Sequence, residues 1–364
     1  MPISVNGANG ITFADGSIQN TGAAGFGYKN RVMNGDMRIA QRGTSSIPVD
    51  NGAWYYPADR FAAYQSVASS KFTIQQNAGS VTPPPGFKYY IGATVTSAYS
   101  PTSTDWFPIR HTIEGHNWAD FQFGTATAQT FTATFWVRSS LTGTLGGAFY
   151  NNDGTRSYPF TYTISSANTW EFKTITVVGD TSGTWNSTNE GGITIQWSMG
   201  GGSTYTGTAG AWASAFYVTA TGATHPVATN GATLYIAGVQ IEKGSTATAF
   251  DYRPIGLELF QCQRYYERLE AQSQFWVPNG GYLNYLVLLW QFRVPKRTAP
   301  TLSTISGVTA TLDSYGQGGV GISSSAADSA TQYSGRLNFV LTGNQSLGTN
   351  ITLTNTFFQA NAEL

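Results

Sequence analysis

The densest cluster of proton-transfer and metal-binding side chains is RHTIEGHNWAD, where His111, Glu114, His116 and Asp120 fall within ten residues. Imidazoles beside carboxylates are the groups that general acid–base catalysis and zinc sites use. The spacing here is H-x-x-E-x-H. The helical H-E-x-x-H arrangement, which stacks two imidazoles one turn apart, is absent. On a strand, positions 111 and 116 face opposite sides, so a local two-histidine metal site is awkward and a loop or strand edge is the plainer expectation. NNDGTRS at Asn151–Ser157 offers oxygen ligands for calcium but not the regular acidic spacing of an EF-hand loop, so a hairpin turn is expected. Cys262, the single cysteine, lies on an apolar stripe and is expected to be a buried, inert thiol. No phosphate-binding G-x-x-x-x-G-K-[ST] and no G-x-S-x-G nucleophile elbow occurs. A glycosidase needs two carboxylates at a set separation. The 19 acids always allow some pair, but no local pair stands out. The residues therefore point to no enzyme, no cofactor and no metal.

Aromatic side chains offer a different chemistry. Trp and Tyr rings present flat apolar faces that match the C–H faces of sugars, while amides, hydroxyls and guanidinium groups reach sugar oxygens. The candidates are Trp136 and Arg138, on the more polar face of their strand, and Trp106, Trp118, Trp185, Tyr205 and Trp212, near expected loops. Against this stands the ordinary role of tryptophan in cores and subunit interfaces.

The elements that would carry these residues are β-strands. Aromatics reach 14% and glycines number 42, a composition that favours strands and tight turns. FTATFWVRSS alternates cleanly, with Phe131, Ala133, Phe135 and Val137 on one face. Strands at this spacing without intervening helices suggest an antiparallel sandwich. The expected organisation is an N-terminal appendage at 1–27 that needs a partner, a jelly roll at 28–253, a linker helix at 254–271 and a smaller C-terminal β-sandwich domain at 272–364. ITFADGSIQNT reads as a hairpin about Asp15-Gly16. The helix is expected to bury Ile255, Leu259, Cys262, Tyr266 and Leu269, spaced 4, 3, 4 and 3, with Arg264 or Arg268 pairing with Glu267 or a neighbouring chain. GQGGVGISSSAADSATQYSG is expected to be a flexible loop. So are GGGSTYTGTAGA and TATGATHPVATNGA, and long loops on a rigid sandwich are where binding usually lies.

Lys+Arg and Asp+Glu balance at 19 each, which argues against a nucleic-acid partner and gives no polybasic membrane surface. Only 10% of residues are charged. Either much surface is buried in an assembly, or Asn, Gln, Ser and Thr keep it soluble. No apolar run is long enough to span a bilayer, so no membrane insertion is expected. MPISVNGANG lacks the pattern of a signal peptide, and synthesis in a reducing cytosol is expected.

Several segments resemble tail-fibre or receptor-binding proteins of tailed bacteriophages and prophages. ITFADGSIQNT is similar to a segment common near fibre N-termini. NRVMNGDMRIAQRGTS followed by YPADRF resembles the first strands of their jelly-roll domain. IEGHNWADFQFG, FTATFWVRSSLTGT and TWEFKTITVVGDTSGTW match its middle, and AGVQIEKGSTATAFDYRPIGLELFQCQRYYERL its end. FRVPKRTAPT and QANAEL resemble the closing β domain. The resemblance implies a homotrimeric virion protein that holds other tail or capsid proteins through residues 1–27 and touches host-surface polysaccharide. Its jelly roll looks similar in layout to carbohydrate-binding modules. It transfers no individual ligand residue. Tail fibre, tail tip and capsid decoration all stay open as positions, and a polysaccharide depolymerase is the enzymatic alternative.

Overall fold

A computed structural model describes residues 4–6, 10–12, 18–19, 29–276, 283–305, 309–313, 322–345 and 350–364, with side chains at 29–269, 289–303, 329–338 and 358–364. Two six-stranded sheets, built from strands that lie between Ile47 and Lys243, face each other.

The first sheet runs, in spatial order, Glu171–Val177, Phe131–Ser139, Thr233–Lys243, Ile91–Val95, Phe72–Gln76 and Ile47–Pro48. The second runs Ser157–Ile164, Gly143–Tyr150, Gly191–Gly201, Trp106–Glu114, Phe61–Ala63 and Tyr55–Ala58. Neighbouring strands pair antiparallel throughout both sheets. The chain is mainly β, and this pair of sheets is the expected jelly-roll sandwich. Period-two alternation explains the core: Phe131, Ala133, Phe135 and Val137 are all fully buried between the sheets, where Phe135 meets Trp197 edge-on at 5.4 Å. Phe107, Ile109, His111 and Ile113 point inward from the second sheet, leaving Trp106 and Arg110 half-buried on its outer face.

The helix runs Ile255–Gln263, shorter than the expected 254–271. Tyr266–Trp276 is a strand paired with Asn350–Asn361, so sheet pairing prevails over the 3.6-residue apolar spacing from Tyr266 onward. The helix also turns a polar side inward. Glu258 is buried against Arg253 at 3.1 Å and accepts from the Asn34 amide, whereas Ile255 is 55% and Phe260 51% exposed. Cys262 is buried, as expected, and burial pushes its thiol well up. Arg264 pairs with Glu114, and Glu267 with Lys296.

Beyond the helix, Tyr266–Trp276, Asn350–Asn361, Thr301–Ile305 and Thr309–Asp313 form one sheet, and Leu283–Gln291, Ser334–Gln345 and Ile322–Ala330 another. The expected flexible loop therefore contains a strand, Ile322–Ala330, whose backbone pairs with Ser334–Gln345 despite its Ser/Ala composition. Residues 316–321 of that segment lie outside the described residues. At the N-terminus, Gly10–Thr12 pairs antiparallel with Ile18–Gln19 and with Ser4–Asn6. The expected Asp15-Gly16 turn lies outside the described residues. Among the described residues no helix is long and apolar enough to cross a membrane.

Candidate functional site

The outer face of the second sheet gathers aromatic rings around a cleft. Trp106, at the start of its strand, packs against Trp54 at 6.0 Å and Tyr64 at 5.3 Å. Arg110, four residues on and so on the same face, lies 3.5 Å from the Trp54 ring centroid. Asp105 holds the turn before Trp106, accepting from the Thr102 amide and hydroxyl and from the Tyr99 hydroxyl. Burial raises its pKa, but these hydrogen bonds outweigh burial and hold the carboxyl below its usual range.

The loop over the strand ends supplies the other wall. Tyr205 lies 6.2 Å from Trp106, and Phe216 meets Trp106, Tyr205 and Tyr150 edge-on at 5.7, 5.7 and 5.1 Å. Backbone and side-chain bonds hold this loop in place. Ser157 exchanges backbone bonds with Ala213 and donates its hydroxyl to Ala215. Gln196 donates to Val218 while accepting from Tyr150. A cleft of about 330 Å³ results, lined by Arg110, Tyr150, Asn152, Asp153, Gly154 and Phe216.

The NNDGTRS segment forms the expected hairpin turn, joining Gly143–Tyr150 to Ser157–Ile164. Asn151 closes it by accepting from the Thr155 and Arg156 amides, which leaves Asn152 and Asp153 exposed at the cleft. Gly154 has φ +64°, and a Cβ there would stand 3.2 Å from the Phe216 ring, so glycine is favoured on both counts.

The catalytic-looking cluster comes together only in part: Glu114 and His116 line one cleft with Arg264, whereas His111 and Asp120 do not. His111 is buried in the sandwich, its Nε2 3.0 Å from the Met33 carbonyl, and burial together with Arg60 holds its pKa well below the usual value. Glu114 accepts from Arg264 at 2.9 and 2.6 Å and from the Tyr265 hydroxyl. Burial raises its pKa, but these bonds reverse the shift and keep it lowered. His116 is exposed after the strand ends, and Asp120 pairs with Arg31 at 2.8 Å. Among the described residues no three His, Cys, Asp or Glu groups could hold a metal ion.

The seven sugar-binding candidates separate in space. Trp106 and Tyr205 meet behind the Phe216 wall of the cleft. Trp185 and Trp212 meet each other at 5.3 Å around Phe123, with their indole N–H groups donating to Ser182 and Val178. Trp136 lines another groove, of about 320 Å³, with Phe87, Phe172 and Tyr252. Arg138 lies over Tyr235 and donates to Asn168. Trp118 is not a surface residue, contrary to expectation: it is 1% exposed and stacked on Phe121 at 3.8 Å within the core, so no sugar can reach its ring. Sequence reasoning missed Trp54, Arg110, Tyr150, Asn152, Asp153 and Phe216. The even spacing of Trp106 and Arg110 along a strand and the polar turn at Asn152-Asp153 were the available signals.

No protein-family model and no curated protein matches the chain. Among solved structures, it is similar to the enzymatically active domain of tailspike protein 4 of bacteriophage CBA120, at TM-score 0.32 and 14% identity over 59% of this chain and 22% of that one. It is also similar to a CBM4 structure, at TM-score 0.29 and 14% identity over 58% and 99%. A family 11 carbohydrate-binding module of a Clostridium thermocellum cellulosomal cellulase follows, at TM-score 0.26 and 8% identity over 57% and 99%. The chain thus spans about a fifth of the tailspike structure's length. These likenesses place no ligand residue.

Proposed function

We propose that the protein is a non-enzymatic virion adhesin that binds host-surface glycan through the cleft on the second sheet. The observation that carries this reading is the cleft itself: the half-buried ring of Phe216, backed by the buried Tyr150, beside the polar groups of Arg110, Asn152 and Asp153. Rings suit the apolar face of a sugar, and the polar groups suit its oxygens. The loop that carries Phe216 is already hydrogen-bonded in place, so little ordering accompanies binding. The sequence resemblance to phage tail-fibre proteins supports the virion setting, with residues 1–27 as the attachment segment. A homotrimer belongs to this reading, because several weak sites on one particle raise effective concentration.

Adsorption to host cells and retention on a glycan array test the reading. Phe216→Ala removes one wall of the cleft and should weaken retention at least tenfold, about 1.4 kcal/mol, with the fold intact by circular dichroism. Unchanged retention would remove the cleft from the reading. A solution mass of one chain would remove the trimer, and a fall in host polysaccharide size on incubation would remove the non-enzymatic assignment.

A further inference from the structure

We infer that residues 362–364 are a latch that holds Arg110 in position at the cleft, an inference that rests on the glycan-binding reading above. Past the strand Asn350–Asn361 the chain meets the sandwich, and arginines hold it there. The Glu363 side chain is only 4% exposed, and its carboxylate accepts from Arg60 and, at 3.2 Å, from Arg42. Each of these guanidinium groups also stacks on a ring, Arg60 3.6 Å from the Tyr265 centroid and Arg42 3.6 Å from that of Tyr266. Arg297 donates to the Ala362 and Glu363 carbonyls at 3.0 and 3.2 Å, and the Ala362 amide donates to the Tyr265 carbonyl at 2.7 Å. Arg110, which lines the cleft, donates from Nη2 to an oxygen of Leu364 at 3.2 Å, with the Trp54 ring centroid 3.5 Å away.

These holds are unequal. A buried carboxylate between two stacked guanidinium groups resists withdrawal, because either partner left alone would be a buried, unpaired charge. The longer, half-buried contact of Arg110 is weak by itself. It relies on the Glu363 anchor one residue earlier. Arg60 ties that anchor to the strand that carries Arg110: its Nη2 donates to the carbonyl of Thr112, two residues along Trp106–Glu114. An arginine side chain has many rotamers, and freezing it when a ligand arrives costs affinity. Set between Trp54 and Leu364, Arg110 has given up that freedom in advance. A guanidinium carries five N–H donors, so the bond to Leu364 leaves capacity for sugar oxygens. Glu363 is thus a positioning residue, acting on the cleft through Leu364 and Arg110.

A double-mutant cycle on retention of a glycan that the wild-type chain holds tests the latch. Deleting Leu364 removes the acceptor of Arg110 while keeping the Glu363 carboxylate, and should weaken retention about fivefold, the scale of one hydrogen bond. Glu363→Gln releases the anchor and should weaken retention at least as much, and Glu363→Asp should restore part of the loss. In an Arg110→Gln background neither change should weaken retention further, because the latch acts through that guanidinium. Equal losses in both backgrounds, or unchanged retention in the single variants, overturn the inference while leaving glycan binding in place. The wild-type chain gives a second readout that stands even if a variant misfolds. Coupling is reciprocal, so a retained glycan should slow hydrogen exchange at the Ala362 amide. Exchange there that ignores a retained glycan overturns the inference as well. Retention of no glycan by the wild-type chain removes the glycan reading and this inference with it.

Discussion

The His111–Asp120 segment and the Arg110 cleft share one strand, yet they differ in what their polar atoms do. In the first, Glu114 is held by Arg264 and Tyr265, His111 by the Met33 carbonyl and Asp120 by Arg31. In the second, Asn152 and Asp153 face solvent, and Arg110 lines the cleft while donating to an oxygen of Leu364. A cluster of reactive residue types is thus not a reactive site when its members already have internal partners. Residues less conspicuous in sequence offer a site when their polar atoms converge on open space.

The largest expected effect breaks the internally partnered region. Glu114→Ala leaves Tyr265 and Arg264 without their acceptor and should destabilise the fold by about 3 kcal/mol, read by chemical denaturation, with glycan retention unchanged while the protein stays folded. An equal loss of retention would show the two regions to be one site.

A second test uses pH. Burial pushes the Asp59 carboxyl up to about 6, against the pull of Arg42 and the Gln41 hydrogen bonds. Its folded pKa exceeds its unfolded one, so the folded state binds the extra proton. The stability it contributes is full below about pH 4 and is lost as pH rises through about 6. Asp59→Asn should remove that fall, on the order of 3 kcal/mol, in denaturation curves between pH 4 and 7. An unchanged pH profile would place the titration elsewhere.

The smallest effect sharpens the open region. Gly154→Ala forces a side chain into a left-handed turn against Phe216 and should cost about 1 kcal/mol, while weakening glycan retention more than stability. Retention unchanged at full stability would show that Phe216 does not shape the cleft.

Much of the architecture was legible in the sequence. Alternation in FTATFWVRSS dictates which side chains are buried, and Asn152-Asp153-Gly154 dictates a turn, because strand and turn geometry are local consequences of residue type. The helix was legible only in part: Pro254 starts it, but its end depends on Tyr266 finding Asn361 across a sheet. Its burial was also hidden, since Glu258 enters the interior only because Arg253 and the Asn34 amide meet it there. Trp118 and Trp106 look alike in sequence, and packing alone sends one into the core and the other to the outer face of a sheet. The residues by themselves determined the alternating strands of the sandwich, the Asn152-Asp153-Gly154 turn and the absence of the common nucleotide-binding and nucleophile motifs. The tertiary structure decided which polar groups are satisfied and which face open space, because partners distant in sequence, such as Phe216 for Tyr150 and Arg264 for Glu114, meet only when the sheets are assembled.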